Sequence, residues 1–235
     1  SQIAANVLFS IEQQLSGFEL HLPLLTALLN AGMRERHWNE VNSKTGIAFR
    51  PSLELTLSKV LATYNLQPHL AQIQAIVSVA AKEAAVEAAL DVMHNKMVMC
   101  ALPFEVEEGL HRLGDLWPLL EMLEEQQLHI QRLKSSVHIK HFAARATTYE
   151  ERLVQVETTI LCWQDCQQCW LSLHPIMQQH DVKAMIPVGS RRFADTDATY
   201  RTIIRSAESK LRLQSVITHD AKLLSMLNEC LKSFE

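Results

Sequence analysis

Cys162-x3-Cys166-x2-Cys169 is the run whose residue type and spacing come nearest to chemistry. It matches the spacing at which radical enzymes that use S-adenosylmethionine hold a [4Fe–4S] cluster, with one iron left open. Such a cluster needs its cysteines on a loop that wraps it. Here they fall inside the longest helix that the periodicity predicts, with none of the alternating strands and helices of a barrel around them. His174 would bring the candidate zinc ligands to four, yet a continuous helix cannot fold three thiolates and an imidazole around one ion. The expectation is therefore small apolar thiols packed between helices. Glu108-x2-His111 has di-iron spacing, but that site requires a second such pair and two further Glu on facing helices, and Gly109 interrupts this one. His138-x2-His141 could place two imidazoles on one helical face; without carboxylate or Cys partners it reads as a solvated face. No Walker A loop, GxGxxG, GxSxG or HExxH occurs. The sequence assigns no catalytic, cofactor-binding or metal-binding residue, and it implies no cofactor.

What remains are polar and aromatic residues in unusual places. Arg36-His37-Trp38 closes a short helix, one turn after Met33. Lys82-Glu83 lies in the middle of an Ala-rich helix, with Glu87 one turn on. Trp163-x3-Gln167-x2-Trp170 sets an amide between two indoles on one helical seam. In structural terms these are Trp anchors and satisfied polar contacts that fix register between helices.

The elements that must position them are nearly all helical. The 235 residues are 48% hydrophobic and include only 6 Gly and 7 Pro, so turn-rich sandwiches, barrels and propellers are disfavoured. A net charge of -4, with no basic run longer than Arg191-Arg192, gives no footprint for nucleic acid. No window is apolar enough for a membrane span. Five Cys is an odd count without the look of a disulfide framework, so an intracellular chain with reduced thiols is expected. The 3.6-residue period predicts helices over 2–15 (broken near Gly17), 22–29, 33–41, 53–61 and 68–95. A small hairpin is expected near 97–113, then a helix to about Lys134. Phe142, Ala146, Tyr149, Leu153, Val156, Ile160, Trp163, Gln167 and Trp170 form a heptad-like seam on one long helix. A short segment from Ile176 to Ile186 follows Pro175, and further helices are expected from about Phe193 to Ser209 and after a polar break at Thr218-His219-Asp220. The fold class expected is mostly α, an elongated helical bundle with a small β-hairpin. It divides into 1–135, which carries the hairpin, and 136–235, built on the long central helix. Apolar periodicity at both ends (Val7, Leu8, Ile11 and Leu15; Leu224, Leu227 and Leu231) suggests a piece of a longer polypeptide.

The ordered set resembles the linker region of dynein heavy chains. The residues that carry it are Met33-Arg34-Glu35-Arg36-His37-Trp38, then Ala81-Lys82-Glu83 with Glu87 and Leu90. Trp163-x3-Gln167-x2-Trp170-x2-Leu173, Asp181-Val182, Pro187, Arg192-Phe193 and Tyr200-Arg201 continue it in the same order. Two positions depart: Met97-Val98 stands where the family usually closes its Ala-containing helix with Trp, and Pro187-Val188-Gly189 lacks the usual acidic residue. The wording is similar to axonemal rather than cytoplasmic heavy chains. The resemblance implies a mechanical linker that arches over a ring of AAA+ modules, with that ring and the rest of the linker in the same heavy chain as its partners. It implies no contact with nucleic acid, membrane or the microtubule itself, and a home in the axoneme of a cilium or flagellum. It gives Arg36, His37, Trp38, Lys82, Glu83, Trp163, Gln167 and Trp170 structural roles. The reading from another class is a helical scaffold or adaptor that presents grooves to partner helices.

Overall fold

A computed structural model describes residues 2–52, 55–107, 109–210, 212–218 and 222–235. Leu53, Glu108, His219 and Asp220, which figured in the sequence reading, lie outside the described residues. The helices are α1 Gln2–Glu19, α2 Leu22–Leu28, α3 Glu35–Thr45, α4 Leu57–Thr63, α5 Leu70–Met99 and α6 Trp117–Lys134, followed by α7 Ala143–Met177, α8 His180–Met185, α9 Pro187–Lys210, α10 Leu213–Thr218 and α11 Leu223–Phe234. Short 3-10 turns cover Gln67–His69 and Val137–Phe142. β1 Phe104–Glu107 and β2 Leu110–Leu113 pair antiparallel, with Phe104 opposite Leu113 and Val106 opposite His111. The chain is mostly α with a small hairpin, as its periodicity predicts.

The chain gathers into two compact units, Ser1–Ala88 and Ala89–Glu235, with the boundary inside α5. Residue 135, where the sequence suggested a division, lies inside the second unit.

In the first unit Leu24, Ala27, Val41, Phe49, Val60, Leu66, Ile73, Ile76 and Ala80 are buried together. α5 supplies Ile73, Ile76, Ala80 and Glu83 at spacings of three and four, which is one helical face. Burying one such aliphatic side chain contributes about 1.5–3 kcal/mol. The loop after α2 comes so close to α5 that a Cβ on Gly32 would lie 2.8 Å from the carbonyl oxygen of Ala80. No larger residue fits there without moving backbone.

In the second unit the predicted seam is the core. Ala146, Tyr149, Leu153, Val156, Ile160, Trp163 and Trp170 of α7 are all buried. Around α7 stand Leu119, Leu123 and Ile130 of α6, Phe193, Tyr200 and Ile204 of α9, and Leu227, Cys230 and Phe234 of α11. The hairpin turns at Gly109, whose φ of 78° is a backbone conformation that other residues rarely adopt.

Several boundaries differ from expectation for physical reasons. α1 runs through Gly17, since a single Gly in an exposed helix costs only about 1 kcal/mol. Met97 to Met99 complete α5 instead of opening the hairpin, because Leu90, Met93 and Met97 keep the helical period and are buried on one face. Pro175 sits within the last turn of α7, which ends two residues later rather than at the proline. Pro187 is the first residue of α9, where its missing N–H is no loss, so that helix starts before Phe193. α10 was not anticipated.

Candidate functional site

The residues singled out in the sequence meet at two junctions, one in each unit. The first is built on Glu83, a carboxylate that is only 7% exposed. α3 delivers Arg36 and His37 to it in consecutive positions. Arg36 Nε donates to Glu83 Oε2 at 3.0 Å, and its terminal nitrogen forms an ion pair with the same oxygen. His37, 3% exposed, places Nε2 at 3.1 Å from that oxygen. His37 Nδ1 accepts the backbone N–H of Arg34 at 3.0 Å, so the ring proton sits on Nε2 and points at the carboxylate. One turn away Arg34 donates to Glu87 Oε2 at 2.9 Å and to the carbonyl of Ala31 at 3.1 Å. Burying an ionised carboxylate is costly unless it is paired and hydrogen-bonded, and this pairing is what permits Glu83 in the core. Trp38 lies beside the junction, its ring 5.5 Å from Phe49, which meets Tyr64 edge-on at 5.1 Å. Lys82 is exposed, and its side chain makes no hydrogen bond or ion pair among the described residues.

The second junction is built on Gln167. Its Oε1 accepts the backbone N–H of Leu113 at 2.7 Å, and its Nε2 donates to the carbonyl of the same residue at 2.8 Å. A side-chain amide thus pairs with both backbone polar groups of one β2 residue, much as a neighbouring strand would. Tyr200 of α9 also donates to Gln167 Oε1, at 3.4 Å. A two-stranded hairpin is marginal alone, and this clamp fixes it to α7, with Phe104 at 6.4 Å from the Trp163 ring. One turn on, Trp170 Nε1 donates to Asp197 Oδ1 at 2.7 Å. Arg201 Nε reaches both oxygens of Asp197 at 2.9 Å, while its guanidinium lies 5.4 Å from the Trp170 ring. His174 Nε2 accepts from Arg201 at 2.8 Å. Trp170 also packs on Tyr200 at 5.1 Å, and Tyr200 meets Phe234 of α11 edge-on at 6.2 Å.

The structure therefore brings Arg36 and His37 onto Glu83, and Trp163, Gln167 and Trp170 onto one seam, while Lys82 stays outside both junctions. Asp197 is the residue that the sequence reading missed; its spacing of four from Arg201 was the available signal. Cys162, Cys166 and Cys169 lie within continuous α7, and among the described residues no group of His, Cys, Asp or Glu is arranged to hold a metal ion. His111 instead meets Glu208 at 2.9 Å. His138 and His141 fall in the 3-10 turn before α7. No helix among the described residues is long and apolar enough to cross a membrane. Beside the seam, burial pushes the Tyr149 hydroxyl up to about 12. That hydroxyl donates to the carbonyl of Met93 at 2.8 Å. Arg36 and His37 on Glu83, Gln167 on Leu113, and Trp170 on Asp197 each tie one element to another, which resists their displacement.

Comparison with known proteins gives a consistent answer. Residues 2–235 match the family described as dynein heavy chain, N-terminal region 2. The chain is 30% identical over 229 residues to mouse dynein axonemal heavy chain 1, covering 96% of this chain and 5% of that protein. It is 25% identical over 214 residues to human dynein axonemal heavy chain 3, covering 90% and 5%. To the ciliary dynein beta chain of Tripneustes gratilla it is 29% identical over 192 residues, covering 80% and 4%. The chain thus spans about one-twentieth of the length of these relatives.

Proposed function

Because the chain belongs to the dynein heavy chain family, in its N-terminal region 2, we propose that it works as the N-terminal part of a linker, a lever that couples ATP-driven change in an AAA+ ring to movement along microtubules. The match over residues 2–235 is the observation that carries this reading. The two junctions support it, since a lever needs helices that move as packed bodies and do not slide past one another. The names of the relatives, axonemal and ciliary, favour an axonemal heavy chain working in a cilium or flagellum. Its partners are the AAA+ ring and the remaining linker of the same polypeptide. ATP binding and microtubule contact belong to other parts of such a chain, and these residues carry no chemistry of their own.

Reading the transcript beyond the codon for Glu235 tests this. In-frame Walker A loops are expected downstream. A stop codon that ends the protein without them overturns the motor reading and leaves a helical adaptor in its place. In parallel, the isolated 235 residues are expected to hydrolyse no ATP.

A further inference from the structure

Within the second unit, α5 and α7 enclose a cleft of about 330 Å³ lined by Leu90, His94, Arg145, Thr148, Tyr149 and Arg152. Arg145, Thr148 and Arg152 stand three and four residues apart, so one face of α7 brings two guanidiniums and a hydroxyl to it. His94 comes from α5, one turn beyond Leu90. The two helices are tied beside the cleft by Arg145 on Asp91 at 2.5 Å and by the Tyr149 hydroxyl on the Met93 carbonyl at 2.8 Å. Neither junction described above uses these residues.

The cleft is rich in donors and poor in acceptors. No carboxylate is among its six lining residues. Asp91 takes one Arg145 nitrogen, out of the five N–H donors that a guanidinium carries. Arg152 and His94 are half-buried, and their side chains make no hydrogen bond or ion pair among the described residues. The Thr148 hydroxyl also makes no hydrogen bond among those residues. Thr158 and Thr159 of the same helix, by contrast, spend theirs on the carbonyls of Val154 and Gln155. Cations gathered on a concave surface focus a positive potential there.

We propose that this cleft binds the phosphate group of a small phosphate monoester. A phosphoryl dianion is compact and accepts several hydrogen bonds at once, which suits two guanidiniums and a hydroxyl better than a singly charged carboxylate does. Arg145 and Arg152 hold the phosphoryl oxygens, and Thr148 donates a further hydrogen bond. The cleft is roomier than a phosphate ion needs, and Leu90 offers an apolar wall to the carbon skeleton of the ester. A ligand held by α7 and walled by α5 binds the folded chain and not the unfolded one, so it stabilises the second unit by mass action. The site stands whether or not the chain works as a lever.

The test titrates glycerol 3-phosphate into the isotope-labelled chain and follows backbone and Arg side-chain resonances by NMR. Saturable shifts are expected at Thr148, Arg145 and Arg152, with none at Lys82, together with a rise in the thermal unfolding midpoint. Glycerol alone should leave both unchanged, and inorganic phosphate should bind more weakly than the ester. Arg152→Gln should weaken binding about tenfold and Thr148→Val several-fold. The proposal is overturned if the shifts do not saturate, if sodium chloride at matched ionic strength reproduces them, or if Arg152→Gln binds as tightly as the parent. Equal affinity for inorganic phosphate overturns the choice of a monoester. The titrations of the unmodified chain decide between these results even where a variant fails to fold.

Discussion

The two junctions hold helices together by different physics. At Glu83, one carboxylate oxygen gathers contacts from both Arg36 and His37, so the first unit depends on a buried charge and its partners. At Gln167, a neutral amide satisfies both backbone polar groups of Leu113, and two buried indoles supply the mass of the packing. A charged junction is unforgiving, because removing its centre strands the desolvated partners. A neutral clamp gives way locally, because its loss frees one hairpin while the surrounding apolar core persists.

The contrast is most severely tested where it predicts the largest loss. Trp170→Ala removes a fully buried indole and its bond to Asp197, and should cost about 3–5 kcal/mol by thermal or urea unfolding. A cost below about 1 kcal/mol would remove the aromatic mass from the account of the second junction. Glu83→Ala should cost about 3 kcal/mol, because Arg36 loses its counter-charge and the buried His37 N–H loses its acceptor. If Glu83→Gln were as stable as the parent, charge would not be what distinguishes the first junction. Gln167→Ala should cost about 2 kcal/mol, and hydrogen exchange should show the Leu113 amide losing protection while amides in the middle of α7 keep theirs.

A smaller effect is expected at alkaline pH. Tyr149 ionises near 12 in the folded chain against about 10 when unfolded. Its contribution is therefore intact below pH 10 and is lost as pH rises from about 10 towards 12, because the unfolded state releases its proton first. The loss should be on the order of 1–2 kcal/mol, absent in Tyr149→Phe, and read from unfolding curves across that window. Lys82→Ala should be smallest, within about 0.5 kcal/mol; a larger effect would bring this exposed residue into the first junction.

How much of this was legible follows from the range of each interaction. The seam from Ala146 to Trp170 was readable because helical periodicity is local, and so was the place of Glu83 in the middle of α5. The resemblance singled out residues that meet at the two junctions, along with Lys82, which lies at neither. The pairing of Arg36 with Glu83, or of Gln167 with Leu113, was not readable, since those partners stand 47 and 54 residues apart and nothing in spacing says which helices meet. Asp197 was overlooked because an isolated acid one turn before an Arg on a helix usually marks a solvated face; here it lies under Trp170. The path of α5 through Met97 to Met99 was misread because a short apolar run suits a strand and a buried helix end equally well.

The proposed linker role rests on the claim that these residues transmit force. The most direct measurement takes a full-length heavy chain that carries this region and compares Gln167→Ala with the unmodified motor, recording ATP turnover and microtubule gliding together. Turnover should stay within about twofold while gliding slows several-fold, because a loosened lever wastes the ring's motion. Gliding at the unmodified speed, with the loss of Leu113 protection verified in the same protein, would contradict the claim.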